Sequence, residues 1–238
     1  QHWPMQSRSL RSLSRLRPAV GRKGWFMLAG SPDEWLAHFR GLGEQMSEAI
    51  EAAWPICIGP LQAKKGAMTH EDHITKHLVK ALRRTKKTPG RIEYQHDLLF
   101  EDAYGNVSQP SSIDFVLTVG DDEDVYLAYE CKRLNVSYGA RVRNLCVPYV
   151  EEGLMRFVSG QYSNGLPMAM MIGYVMNGDN SRARRGLRKV MNARTATLGL
   201  IAELDHPSLP GAPIRFRSTH KCRPGHAMEV EHHLLPWP

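Results

Sequence analysis

The stretch YLAYECKRLN, residues 126–135, ends an apolar run with a carboxylate and an amine two places apart, Glu130 and Lys132. Side chains alternate along a strand, so both point the same way as Ala128, while Tyr129 and Cys131 point to the other face. Upstream, SSIDFVLTV places Ser112, Asp114, Val116 and Thr118 on one face of a second strand, where Asp114 can stand beside Glu130 across a hairpin. Two carboxylates opposed without a cation repel, and an ionised group taken out of water costs several kcal/mol unless something compensates it. A divalent ion resolves both problems, and Mg²⁺ suits the arrangement because it takes one or two carboxylates and fills its other positions with water and phosphate oxygens. The chemistry such a set supports is hydrolysis at phosphorus. The ion lowers the pKa of an attacking water and neutralises transition-state charge, while Lys132 orients or helps deprotonate the nucleophile and stabilises charge on the phosphate.

The elements that must position these groups are legible as periodic runs. Arg91 to Phe100, Ser112 to Val119 and Val125 to Lys132 are strand-like, separated by EDAYGNVSQPS and the polar turn GDDED, and predict an antiparallel meander. Before them, THEDHITKHLVKALRR predicts a helix that Thr69 caps with Asp72 three residues on, with Ile74, Leu78, Ala81 and Leu82 as its apolar stripe. Glu71 falls on the edge of that stripe; on local grounds it only complements the helix dipole, worth ~0.3–1 kcal/mol. An earlier helix starts at Ser31, with Trp35, Phe39, Leu42 and Met46 at steps of three and four, and ends near WPICIGP. A helix around PYVEEGLMRFVSG, an apolar strand from Leu166 and a basic helix from Ser181 to Arg194 follow the meander. In the basic helix Ala183, Leu187, Val190 and Met191 share one face, and Arg182, Arg184, Arg185, Arg188 and Lys189 occupy the rest. The tail supplies short strands at LGLIAEL, PIRFRS and AMEVEHHLL.

Composition bounds the partners. The 238 residues, 42% hydrophobic, suffice for one sizeable core, and a net charge of +7 favours a polyanionic partner, nucleic acid first. Cys57, Cys131, Cys146 and Cys222 are far apart with no CxxC spacing, which argues against a disulfide framework or a zinc ribbon and for a reducing, cytoplasmic setting. The longest apolar run, LPMAMMIGYVM, is shorter than the ~20 residues needed to cross a bilayer, so no membrane association is expected. Residues 1–26 carry Arg8, Arg11, Arg15, Arg17, Arg22 and Lys23 with no acidic residue before Asp33, the composition of an organellar transit peptide, and are read in preference as a basic, disordered tail or an extension upstream of Met27; residues 27–238 read as a single domain. HKCRPGHAMEVEHH gathers His220, Cys222, His226, His232 and His233, but the spacing fits no compact zinc set, and histidines at strand ends are expected to be exposed. No GxSxG elbow and no GxxxxGK[ST] loop occurs, which leaves serine-hydrolase and P-loop NTPase chemistry without a foothold.

SID at 112–114, ECK at 130–132 and the helical Glu71 together resemble the PD-(D/E)XK nuclease superfamily. The resemblance implies an α/β, restriction-endonuclease-like core of order αβββαβ over about residues 69–176, a central mixed sheet flanked by helices. It implies metal-dependent hydrolysis of DNA phosphodiester bonds, with Asp114 and Glu130 as ligands of Mg²⁺ or Mn²⁺, Glu71 supporting the ion and Lys132 as the catalytic lysine. The proline of the family motif is Ile113 here. RFVSGQY is similar to the helix that follows the motif in some members, which makes Gln161 and Tyr162 auxiliary candidates. Arg182, Arg184, Arg185, Arg188 and Lys189 become candidates for the phosphate backbone. Selectivity is expected from a partner protein or a homo-oligomer, and the alternative function is a non-catalytic nucleic-acid-binding module on the same fold.

Overall fold

The computed structural model describes residues 18–20, 26–28, 32–62, 70–101, 107–119, 125–139, 141–163, 165–207, 212–222 and 227–238. Its centre is a seven-stranded mixed sheet ordered β3-β4-β5-β8-β11-β10-β9. The meander comes first: β3 (Arg91–Glu101), β4 (Val107–Thr118) and β5 (Tyr126–Leu134) pair antiparallel. The second strand starts earlier than its apolar pattern suggests, inside the polar EDAYGNVSQPS segment. β8 (Met168–Val175) then lies parallel to β5, and β11 (Ala227–Pro236) parallel to β8; β10 (Ile214–Lys221) and β9 (Leu200–Asp205) complete the sheet antiparallel. The short C-terminal strands therefore extend the sheet begun by the meander. Two small hairpins accompany it, β1 (Pro18–Val20) with β2 (Phe26–Leu28), and β6 (Val136–Tyr138) with β7 (Arg141–Arg143). β1 falls within the residues 1–26 expected to be disordered; residues 1–17 and 21–25 lie outside the described residues.

Helices cover both faces because β8 is buried at every position, as expected of a central strand with a layer on each side. On one face α1 (Pro32–Gln62) and α2 (Glu71–Thr85) pack Trp35, Phe39, Met46, Ile74, Leu78 and Leu82 against Phe115, Leu117, Tyr129, Ile172 and Tyr174. α1 continues through Pro55 and Pro60, beyond the end expected near WPICIGP. Both prolines lie on the exposed side, where water can take the carbonyls that a missing N–H leaves unbonded. The start of α2 differs from expectation: its N-cap is His70, with no side-chain cap, and Thr69 lies outside the described residues.

The other face holds α3 (Cys146–Pro148), a π-helical segment Tyr149–Leu154, α4 (Met155–Val158), α5 (Asn180–Ala193) and α6 (Thr195–Leu198). Tyr149, Leu154, Phe157, Ala183, Leu187 and Met191 pack there on Val116, Ala128, Met171, Val230 and Leu234. Among the described residues no helix is long and apolar enough to cross a membrane, and all four cysteines are free and buried.

At the centre of β8, a Cβ on Gly173 would stand 2.7 Å from Leu234 Cδ2 and 2.8 Å from Leu134 Cδ1. Gly173→Ala is predicted to overpack this point and to cost about 1–3 kcal/mol. A lower urea midpoint at unchanged slope is the expected result; an unchanged midpoint contradicts this packing.

Candidate active site

The site forms where the meander opens. The β4–β5 ladder runs from Thr118↔Tyr126 to Phe115↔Tyr129 and stops, while the other edge of β5 stays paired to β8 as far as Leu134↔Val175. Backbone N–H groups that alternate toward β4 then lack a ladder partner, and buried N–H groups must find one. Carboxylates fill the notch. The Cys131 N–H donates to Asp114 Oδ2 at 2.6 Å, and the Arg133 N–H donates to Glu71 Oε2 at 2.8 Å. The expected regular alternation of β4 does not persist through Asp114, since Ile113 and Val116 pack in the same core layer and Phe115 in the opposite one. The facing strand is distorted too, with Gln95 in the left-handed region at φ 52° between Tyr94↔Phe115 and His96↔Ile113. That irregularity turns Asp114 toward the open edge of β5 instead of leaving it on a flat strand face.

Glu130 is fully buried on the face that carries Ala128, as the alternation predicts, and Tyr129 and Cys131 lie in the other core layer. The π-helical segment roofs it: a Cβ on Gly153 would meet Lys132 Cγ at 3.4 Å and Glu130 Cγ at 3.6 Å. Two cations meet at Glu130 Oε1, Lys132 Nζ at 2.8 Å and Arg156 Nη1 at 3.0 Å, while Glu130 Oε2 is buried with no hydrogen-bond partner. Lys132 Nζ also donates to Glu71 Oε1 at 3.0 Å and to the Cys131 carbonyl at 3.1 Å.

Electrostatics follow from this crowding. Burial, and then the neighbouring Glu130 charge, push the Asp114 carboxyl up to about 7 against the lowering effect of the Cys131 N–H. Burial likewise raises Glu130, opposed by Lys132 and Arg156. For Lys132 burial works toward the neutral amine, but Glu130 and Glu71 outweigh it and raise its pKa, so the ammonium form is held. That state orients groups and stabilises negative charge; it does not take a proton from water.

The sequence candidates separate into those brought together and those left apart. Asp114, Glu130 and Lys132 converge, with Glu71 joined through Lys132 and Arg133. Both Glu71 oxygens accept hydrogen bonds, Oε1 from Lys132 Nζ and Oε2 from the Arg133 N–H. Among the described residues no group of three or more His, Cys, Asp or Glu side chains is placed to hold a metal ion. Gln161 is exposed, whereas Tyr162 is buried: its hydroxyl donates to the Ser112 carbonyl at 2.7 Å and accepts from Arg156 Nη1 at 2.7 Å. Arg156 was not predicted. Its link to Glu130 spans 26 residues and has no signature in local spacing.

The cationic face of α5 also departs from expectation. Arg184 is buried, lies 3.7 Å over the Phe216 ring and bonds Glu203 and Asp205, and Arg188 pairs with Asp205. Packing against β9 and β10 has drawn two of the five predicted phosphate contacts, buried Arg184 and exposed Arg188, into ion pairs with β9; Arg182, Arg185 and Lys189 are exposed. The tail histidines are not exposed, because β10 and β11 both lie inside the sheet: His220 on β10 and His232 and His233 on β11 are fully buried, and His226 lies outside the described residues. His220 Nδ1 meets the Leu198 carbonyl, which only accepts, so neutral His220 takes the Ser218 proton at Nε2. Ser218 Oγ then accepts from His232 Nε2, and His232 Nδ1 accepts from the Tyr149 hydroxyl. All four ring nitrogens are used in this chain, and burial lowers both pKa values, as a neutral relay requires.

Comparison of the chain with protein-family models, with curated proteins and with solved structures returns no match.

The raised Asp114 pKa makes stability depend on pH with a definite sign. The folded state holds this proton at pH values where the unfolded chain has released it, so the contribution is present below about 4 and is lost as pH rises through about 7. In EDTA, Asp114→Asn is predicted to raise stability at pH 8 by about 1–2 kcal/mol, an amount discounted because the carboxyl is partly open to water. It is predicted to have little effect at pH 4. Denaturation curves at the two pH values check this; a variant less stable at pH 8 contradicts it.

Proposed function

We propose that this chain is a metal-dependent nuclease of the PD-(D/E)XK type, hydrolysing phosphodiester bonds of DNA on a restriction-endonuclease-like core. The order α2, β3-β4-β5, the helical stretch 146–158 and parallel β8 supports that reading, since it reproduces the αβββαβ arrangement the motif resemblance implies. The single observation that carries it is the notch itself. A partly buried Asp114 and a fully buried Glu130 stand at the diverging ends of adjacent strands, with Glu130 Oε2 unpartnered and Lys132 Nζ 2.8 Å from Oε1.

The donor set fits a hard divalent cation through two ligands. Asp114 and Glu130 would hold Mg²⁺ or Mn²⁺, and their mutual repulsion and the orphaned oxygen are what such an ion relieves. When bound, the ion lowers the pKa of water and neutralises charge on the phosphate. Glu71 acts one step away, fixing Lys132 Nζ and the Arg133 N–H. Lys132, held as an ammonium, orients the attacking water and stabilises the phosphate oxygens as the new P–O bond forms and the ester P–O bond breaks. Arg156 presents a partly exposed guanidinium on the same side, held by Tyr162, where it balances Glu130 and faces incoming phosphate.

A second reading has its own observation. Lys132 and Arg156 already neutralise Glu130, so a protein that only binds nucleic acid would keep this notch without an ion. Incubation of purified protein with supercoiled plasmid in Mg²⁺, in Mn²⁺ and in EDTA separates the two. The expected result is cleavage in either metal, none in EDTA, and a loss of about 10³-fold or more in Asp114→Asn and Lys132→Met. Cleavage that survives either substitution refutes the site assignment, and absence of cleavage in wild type favours the binding module.

A further inference from the structure

Beyond the notch, the cations of α2 form a surface that neither the motif nor the basic C-terminal helix foretold. Lys76, Lys80 and Arg84 recur at four-residue steps and so form one ridge, ~6 Å between successive members at ~1.5 Å rise per residue. The ridge starts five residues after Glu71, so the helix that delivers a carboxylate to the notch carries a cationic row away from it. All three are exposed, and among the described residues none is in an ion pair, in contrast to Arg184, Arg188, Arg194, Arg215 and Arg217. Arg83 adds a fourth charge, its Nη2 donating to the Ile92 carbonyl at 2.8 Å and tying α2 to β3.

Between this ridge and β3, the edge strand of the sheet, runs an open cleft of about 300 Å³ lined by Lys76, Val79, Lys80, Arg83, Arg84 and Tyr94. Tyr94 is its aromatic wall, half-buried, with Lys76 Nζ 5.8 Å from the ring centroid. Tyr94 pairs with Phe115, the neighbour of Asp114, and burial, then the Asp72 charge and then the Asp114 charge raise the pKa of its hydroxyl. Cations in a row beside an aromatic ring are the combination that binds single strands, phosphates on the charges and a base on the ring. A flat anionic membrane could meet the exposed cations but offers no base to the half-buried Tyr94 ring.

We infer that the α2–β3 cleft binds a single nucleic-acid strand, with Lys76, Lys80 and Arg84 on successive phosphates and a base packed on Tyr94, and leads it to the Asp114–Glu130 notch. The assignment of the notch as the end of the path rests on the nuclease reading; the binding itself does not.

The test is fluorescence anisotropy with a labelled single-stranded DNA 20-mer in EDTA, over a series of salt concentrations, so that no cleavage is needed. Lys80→Glu with Arg84→Glu is expected to weaken binding at least tenfold at low salt and to reduce the slope of log K against log salt by about 1.4, the value for two phosphate contacts on a single strand. Tyr94→Leu, which keeps apolar filling, is expected to lose about tenfold, and Tyr94→Phe to retain binding. Arg185→Glu with Lys189→Glu on α5 is the charge-matched comparison, and the cleft pair is expected to weaken binding at least fivefold more than the α5 pair does. The inference is overturned if wild type does not bind, if the α5 pair costs as much as the cleft pair, or if the cleft pair affects binding only to phosphatidylserine vesicles. An equal loss from Tyr94→Leu on a duplex of the same length overturns the base-packing assignment. Plasmid cleavage by wild type with no cleft-dependent binding sinks the cleft alone; cleft-dependent binding with no cleavage in Mg²⁺ or Mn²⁺ sinks the nuclease reading alone.

Discussion

Everything at the notch depends on the point where β4 parts from β5. A sheet that stayed paired would satisfy the N–H groups of Cys131 and Arg133 with backbone carbonyls and leave no room for side chains between the strands. Because the ladder stops at Phe115↔Tyr129, those donors are met by carboxylates from Asp114 and Glu71 instead. Two acidic residues distant in sequence are thereby fixed to one edge of β5 by an obligation of the backbone. Glu130 and Lys132 then complete a cluster of charge that the surrounding layers keep partly out of water.

That cluster is balanced, but not comfortably. Glu130 Oε1 receives two cations and Oε2 receives none, and Asp114 holds its proton toward neutral pH. An unpartnered buried oxygen beside a carboxyl with a raised pKa costs free energy, and such perturbed groups concentrate at functional sites. The π-helical turn above it adds to the pattern. One extra residue in the turn rotates everything after it by about 100°. Arg156 comes directly after that turn, on the side from which it reaches Glu130 and Tyr162.

The two basic helices illustrate why charge read from sequence does not say which cations stay unpaired. On α5 the arginines looked free, yet β9 supplies Glu203 and Asp205 from just past the helix and consumes Arg184 and Arg188. On α2 the equivalent charges face the edge strand β3, where among the described residues no acid meets Lys76, Lys80 or Arg84. Net charge of +7 says only that a surplus exists. Which lysines hold the surplus depends on which strand is a neighbour.

The sequence by itself determined the meander, the amphipathic helices and the shared face of Glu130 with Ala128, because these follow from periods of two and 3.6 residues that each segment carries alone. It also singled out Asp114 and Lys132, whose types and spacing are local. Tertiary structure decided the rest. Burial of His232 and His233 follows from β11 entering the sheet beside β8, a pairing between segments about sixty residues apart, and His220 is buried on β10, which β11 and β9 flank. The occupation of both Glu71 oxygens, the arrival of Arg156 and the turning of Asp114 toward β5 all depend on strands that separate and on a helix that gains a residue. Each is a balance among non-local contacts, and no local period encodes it.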